Sequence, residues 1–267
     1  MRVDHHPGGI VTWHFAMDGP ELTALFTTRH GGCSSGPYAG LNLAFHVGDD
    51  PVAVAANRDA LCRVLGVDRL TVADQQHGRR VAVVDALLAG AGHGSASDAR
   101  ERLGGVDALV TDRPGVAIGV LVADCAPVVL YDPARRAVGV VHAGRAGACL
   151  DVVGAAVAAM SERFGSRPAD LLAGVGPCIG AGSYEIAADA LAEVRDVFGD
   201  GLLRPTAGGR ACFDLPGAVR ERLLTAGVVG AHVEEMAVDT AAAGDELFSD
   251  RAARPCGRSM LVAVLRR

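Results

Sequence analysis

A mixed α+β fold, with mixed β-sheets layered against helices in one continuous domain, is the architecture this sequence predicts. Strand-like apolar runs and amphipathic helical stretches interleave along the chain without the regular alternation of a doubly wound parallel sheet. Neither an internal repeat of fixed period nor a low-complexity linker divides the 267 residues. A chain of that length that is 50% hydrophobic buries enough apolar surface to need no disulfide staples.

The amino terminus adds no element to this reading. Met1 to Gly9 lacks the charged-then-apolar order of a secretory signal, and the histidines at 5, 6 and 14 read as an adventitious cluster on a frayed end. Leu22 to Thr28 is the first strand, and the glycine-rich run from Arg29 to Gly40 is a loop. Asp49, Asp50 and Pro51 supply a helix start, and the periodicity from Val52 to Leu65 fits an amphipathic helix ended by Gly66. Thr71 to Ala73 and Arg80 to Val84 are short strands flanking Gln75-Gln76-His77-Gly78, which puts His77 at a strand end. Residues 90 to 105, rich in Gly, Ala, Ser and charge, form a surface loop with one helical turn.

The middle of the chain carries the strongest pattern. Val106 to Thr111 and Val116 to Val122 are strand-like; Ala123 to Pro127 interrupts, and Val128 to Tyr131 resumes the run. Asp132 to Arg136 then turns the chain back into Ala137 to Val141 and His142. A turn centred on Ala134 makes residue i face about 268 − i, so His142 lies opposite residue 126, next to Cys125. Cross-strand neighbours sit ~5 Å apart at Cβ, close enough for this thiol and this imidazole to reach one shared atom.

Ala148 to Phe164 follows as a helix stopped by Gly165, then a strand from Leu171 to Val175 and a tight turn at Gly176 to Gly180. Helices at 187–198 and 215–226, the second with Pro216 in its first turn, precede closing strands at 232–236 and 260–265.

Composition excludes several function classes. All 25 basic residues are arginine, so neither a Schiff-base lysine nor a Walker-type phosphate lysine exists. The net charge of −6, without a basic run, leaves no electrostatic footprint for nucleic acid or for an anionic membrane. The longest apolar stretch, Val116 to Tyr131, is broken by Asp124 and Pro127 and falls short of the roughly 20 residues that span a bilayer. Small-molecule partners, a cytoplasmic location and a monomer are therefore expected. Seven cysteines, an odd count without a CxxC pair, read as reduced thiols.

Several residues admit two readings. Taken singly, His77 is a hydrogen-bonded structural histidine, Cys125 a small buried hydrophobe and Arg29 a solvated loop charge. Cys62, Cys149 and Cys212 fit packing positions, and the glycines around Cys178 fit a turn. The nearness of Cys125 and His142 also fits a metal-free pair, with the thiolate as nucleophile and the imidazole as its base, in a cysteine hydrolase or amidase.

The motifs Thr28-Arg29-His-Gly-Gly32, Gly40-Leu-Asn-Leu43, Asn57-Arg58, Gln76-His-Gly78, Asp107-Ala-Leu-Val-Thr111, Ala123-Asp-Cys-Ala-Pro-Val128, His142-Ala-Gly144, Gly176-Pro-Cys-Ile-Gly180 and Tyr184-Glu185 resemble the laccase-domain family, historically called multicopper polyphenol oxidases, across nearly the whole chain. The resemblance implies a YfiH-like layered fold and a His, Cys, His trio that binds zinc, here His77, Cys125 and His142, with copper the alternative ion. It also implies phosphorolysis of adenosine, inosine or guanosine and methylthioadenosine, deamination of adenosine, and a further role in editing peptidoglycan precursors. Two departures stand out: Arg145-Ala146-Gly147 where the family has Trp-Arg-Gly after His-Ala-Gly, and Asp239 where it has the cysteine of a Cys-Thr pair. They bear on which nucleoside is preferred, and they keep a non-catalytic nucleoside-binding protein open as a third reading.

The chemistry of such a trio is coherent. One thiolate and two imidazoles suit zinc, and three protein ligands leave a fourth tetrahedral position open. Water bound there is acidified toward a pKa of ~7, which suits attack on the purine C6 and hence deamination. Phosphorolysis needs an anion pocket as well. Arg29, beside the N–H groups of Gly31 and Gly32, is the candidate for it; Asn42 and Arg58 are further candidates, and Asp124 is placed to orient a ligating imidazole. The several histidine clusters that a multicopper oxidase requires are absent.

Overall fold

The computed structural model describes residues 1–267. In chain order the strands and helices are β1 (Arg2–His5), β2 (Val11–His14), β3 (Leu22–Thr27), α1 (Pro51–Leu65), β4 (Leu70–Val72), β5 (Arg80–Val83), α2 (Ala96–Leu103), β6 (Val106–Thr111), β7 (Ala117–Val122), β8 (Ala126–Asp132), β9 (Ala137–Ala143), α3 (Arg145–Cys149) and α4 (Val152–Phe164). They continue with β10 (Leu172–Val175), β11 (Glu185–Ile186), α5 (Ala188–Phe198), β12 (Leu203–Pro205), β13 (Ala211–Phe213), α6 (Leu215–Thr225), β14 (Val233–Glu235) and β15 (Ser259–Leu265).

Two six-stranded mixed sheets, ordered β1-β2-β3-β15-β7-β4 and β14-β10-β8-β9-β6-β5, form the centre, with a small β11-β13-β12 sheet beside them. The pairs β4·β7, β5·β6 and β10·β14 are parallel and the remainder antiparallel. Alternation along β15 shows how the layers stack. Leu261, Ala263 and Leu265 share one core with Phe26, Ile118, Val129 and Val140, which joins the two sheets face to face. Met260, Val262 and Val264 point the other way, into a core with Leu61 and Leu65 of α1. On the outer face of the second sheet, Ala108, Val128 and Val141 pack against α4 and α6 through Val153, Val157, Met160 and Val219. The order of layers is helix, sheet, sheet, helix, and this is the mixed α+β architecture predicted. Central strands buried on both faces explain why β7, β8, β9 and β15 read as continuous apolar runs.

Several expectations need correction. The amino terminus is not frayed: β1 and β2 pair with each other and extend the first sheet, and His14 is buried, facing Asp18 at 3.2 Å. The run at 90–105 contains an eight-residue helix, α2, capped by Ser95, whose side chain accepts from the N–H of Asp98. The helix expected at 148–164 is two helices, because Asp151 takes a left-handed conformation (φ 62°) between them and caps the second through the N–H of Gly154. The small third sheet went unseen because two- and three-residue strands carry no period.

The hairpin register differs by one from the expected 268 − i: Ala126 pairs with Ala143 and Pro127 with His142. Pro127 is thus inside β8, not ahead of it. Successive side chains alternate faces, so Cys125 belongs to the face of Pro127 and therefore to that of His142. The nearness survives the correction for a different reason.

Candidate metal centre and its cleft

Two of the three donor candidates lie on segments that carry the chain from one large sheet to the other. Residues 73–79 connect β4 to β5, and Ala123-Asp124-Cys125 connects β7 to β8. His77 and Asp124 take left-handed conformations, with φ of 59° and 89°. Backbone strain of this kind persists where the surroundings over-determine it. His142, in β9, completes the group from the second sheet.

One ring nitrogen of His77, one of His142 and the Cys125 sulfur lie within 4.8 Å of one another, the single group of three such donors in the chain placed for a metal ion. Cys125 Sγ is 3.7 Å from His77 Nε2, and the two imidazoles meet edge-to-face with centroids 4.8 Å apart. A glycine must follow at position 144: a Cβ there would lie 2.8 Å from the Cys125 sulfur and 2.9 Å from His77 Cδ2.

A fully buried carboxylate organises the group. Asp107 Oδ1 is 2.8 Å from His142 Nδ1, and its two oxygens accept the backbone N–H groups of Gln76 (3.3 Å), His77 (2.9 Å) and Gly78 (2.8 Å). One side chain therefore fixes the ring of His142 and the loop that carries His77. Burial works against its ionised form, but His142 and these N–H groups win and hold Asp107 below the usual carboxylate range. Sequence reasoning assigned this orienting task to Asp124. The available signal was an acidic residue inside the apolar run Val106–Thr111, where a buried charge must find partners.

Without a metal, the thiol and the buried imidazole form an ion pair. Burial pushes the Cys125 thiol up, but His142 and His77 outweigh it and bring it down to about 6. For His142, burial favours the neutral ring, and the Cys125 thiolate with Asp107 overrides this, raising it to about 9.

The trio opens onto a cleft of about 480 Å³ that His46, Tyr184, Arg251, Arg254 and Arg258 also line. Of these five, only Tyr184 was part of a motif noted in the sequence, and it was given no role there. The four substrate candidates fare differently. Arg29 is outside the cleft: it donates to the carbonyls of Gly244 and Ala39 and stacks on Phe248. Arg58, 2% exposed, spends its guanidinium on the carbonyls of Leu43, Gly92 and His93. Asn42 is wholly buried and bonds Asp49 and the N–H of Arg258. Asp124 does line the cleft, but its carboxylate accepts from Thr240 Oγ1 (2.6 Å), Ser249 Oγ (2.7 Å) and the N–H of Arg251 (2.6 Å), not from an imidazole. Loop polarity alone does not separate an arginine that ties loops together from one that faces a ligand.

The departures also lie away from the cleft walls. Arg145 pairs with Glu193, and Asp239 accepts from Gly180 N, Ser183 Oγ and Ala241 N.

Two face-to-face mixed sheets, with His77 and Cys125 on the crossovers between them and His142 on a strand of the second, define a class of protein with one open cleft beside three potential metal donors. The chain belongs to the family described as multi-copper polyphenol oxidoreductase laccase, whose profile matches residues 23–266. It is 41% identical over 235 residues to the purine nucleoside phosphorylase ORF3 of Streptomyces griseus, covering 87% of this chain and 90% of that one. It is 34% identical over 249 residues to the purine nucleoside phosphorylase YlmD of Geobacillus stearothermophilus, covering 91% and 90%. The crystal structure of YlmD from Geobacillus stearothermophilus superposes with a TM-score of 0.91 at 30% identity, covering 99% of each chain. No helix is long and apolar enough to cross a membrane.

Proposed function

We propose that this chain is a zinc-dependent nucleoside-processing enzyme that cleaves purine nucleosides by phosphorolysis. The observation that carries the reading is the convergence of His77, Cys125 and His142 on one wall of an open cleft. The names of the relatives supply the substrate class, purine nucleosides with phosphate. One three-donor group has ligands for one ion, whereas oxidation through several coppers needs several such groups, so the phosphorylase reading is preferred to the oxidase reading.

The residues fit zinc. A sulfur and two imidazole nitrogens are its borderline-soft donors, and Asp107 on His142 Nδ1 leaves Nε2 of that ring for the ion. Zinc held by His77, Cys125 and His142 would supply a Lewis acid and an acidified water, which would suit deamination of adenosine as a second activity. The chain's own residues do the rest. Asp107 fixes the ring and the His77 loop, and Tyr184 offers an aromatic face for a base. Desolvation at the cleft wall and the nearby Arg258 and Arg58 guanidiniums lower the pKa of His46 and favour its neutral ring, which can offer the base a hydrogen bond. In phosphorolysis a phosphate oxygen bonds to C1′ as the C1′–N9 pair leaves with the purine. The proton carried by hydrogen phosphate ends on the base.

A thiol brought down to about 6 between two imidazoles also favours a second reading, the cysteine hydrolase with Cys125 as nucleophile. One experiment separates them: product analysis with adenosine, inosine and methylthioadenosine, with and without phosphate, before and after chelation. Phosphate-dependent base release that chelation abolishes supports the proposal. Activity untouched by chelation, or no release from any of the three, refutes it.

A further inference from the structure

Phosphorolysis requires an anion next to the sugar, and the residues that sequence reasoning offered for it are committed elsewhere. We propose that Arg254 and Arg258, bridged by Asp250, form the phosphate site of this cleft; the proposal rests on the nucleoside reading above. Both arginines line the same cleft as the metal trio. The carboxylate of Asp250 spans them: Oδ1 accepts from Arg258 at 3.2 Å, and Oδ2 accepts from Arg254 Nε. Two guanidiniums are thereby tied to one carboxylate in the cleft wall, and guanidinium forks are the donors that recognise a tetrahedral oxyanion.

Donors remain for a ligand. Arg258 spends its NH1 on the carbonyls of Cys256 and Gly257 and one NH2 bond on Asp250, and its Nε donates to nothing in the chain. Arg254 bonds only Asp250, so its NH1 is unspent. The third arginine of the segment is excluded from this role. Arg251 directs both terminal nitrogens to the carbonyl of Glu185 and packs on Tyr184.

The segment is anchored before any ligand arrives. Asp124 accepts from Ser249 Oγ and the N–H of Arg251 at one end, and Asn42 Oδ1 accepts the N–H of Arg258 at 2.9 Å at the other. Charged side chains of the cleft are balanced, three arginines against Asp74, Asp124 and Asp250. Attraction of an anion therefore comes from directed donors and not from net charge. Asp124 meets three donors of its own, and Asp74 faces Gln76 and Arg100, so neither carboxylate points its acceptors at the pair.

The test uses the zinc-loaded enzyme, inorganic phosphate as the probe in calorimetry, and KM values for phosphate and inosine. Arg254→Gln and Arg258→Gln should each weaken phosphate about tenfold or more, the loss of one charge-assisted bond. KM for inosine and zinc content should stay within about twofold, which is below the effect of any such bond. Arg254 is 77% exposed, so its replacement does not endanger the fold. Unchanged phosphate constants in both variants, with turnover intact, overturn the site and leave the nucleoside reading standing. Phosphate binding that is lost in the variants of an enzyme inactive on every purine nucleoside supports the site and refutes the nucleoside reading instead. Adenosine 5′-monophosphate is the third arm: binding tighter than phosphate, with the advantage lost in the variants, assigns the pair to a nucleotide's phosphoryl group and overturns the proposal.

Discussion

Asp107 Oδ1 and His142 Nδ1 lie 2.8 Å apart with both side chains almost fully buried, and the same carboxylate holds the backbone of the His77 loop. Asp107→Asn keeps the shape but offers one acceptor where two were used. Metal affinity should fall by ~10–100-fold, the usual effect of losing a carboxylate behind a ligating histidine. Competition with a chromophoric chelator measures it. Wild-type affinity in the variant would show that the carboxylate serves folding alone.

Gly144 faces both Cys125 and His77 at distances no real Cβ tolerates. Gly144→Ala should therefore displace the sulfur or the ring, lowering zinc stoichiometry and turnover together while the far layer of α1 keeps its packing. Metal analysis and a thermal melt check this. Full zinc occupancy with normal turnover would mean that the crossover relaxes around the added methyl.

The ion pair of Cys125 and His142 gives the metal-stripped protein a definite pH dependence. The thiol falls from an ordinary value of 9.0 to about 6, so its stabilising effect is complete above pH 9.0 and is lost as pH falls through about 6. His142 rises from 6.5 to about 9, so its effect is complete below pH 6.5 and is lost as pH rises through about 9. Stability of the stripped protein should accordingly be greatest between about 6 and about 9 and decline on both sides. Thiolate ultraviolet absorbance, compared with Cys125→Ser, should show a midpoint near the lower limit. A midpoint at the ordinary thiol value would remove the pair.

Arg29 now predicts a stability effect in place of a substrate effect. Its guanidinium ties the carbonyls of Gly244 and Ala39 and covers the Phe248 ring, so Arg29→Ala should destabilise by about 1–3 kcal/mol. KM for phosphate should not move. Denaturant unfolding and steady-state kinetics measure the two quantities separately, and a selective rise in KM for phosphate would restore Arg29 to the substrate site.

What was legible in the sequence follows from the range of the forces involved. The apolar runs of β7, β8, β9 and β15 announce strands buried on both faces, and the Asp-Pro turn brings Cys125 near His142 through local geometry. His77 joins them only by tertiary placement, and the motif resemblance supplied what periodicity did not. Arg254, Arg258 and His46 were missed because exposed polar loops look alike in one dimension. The segment that carries the two arginines is held by Asp124 on the N–H of Arg251 and by Asn42 on the N–H of Arg258, bonds across 127 and 216 residues that no local pattern encodes.

Asp124 is a positioning residue for that segment. In a left-handed conformation, with φ of 89°, it collects Thr240, Ser249 and the N–H of Arg251, clamping the chain that carries the arginines against the crossover to Cys125. In Asp124→Asn the two hydroxyls can reorient to meet the amide, whereas the N–H of Arg251 faces a donor if the amide nitrogen turns toward it. Loosening should appear first as faster trypsin cleavage after Arg251, and then as a rise in KM for phosphate with zinc content unchanged. The double readout matters because a purely structural residue would lower kcat and stability without separating phosphate from nucleoside. Loss of zinc in the variant, in step with activity, would place Asp124 in the metal centre after all.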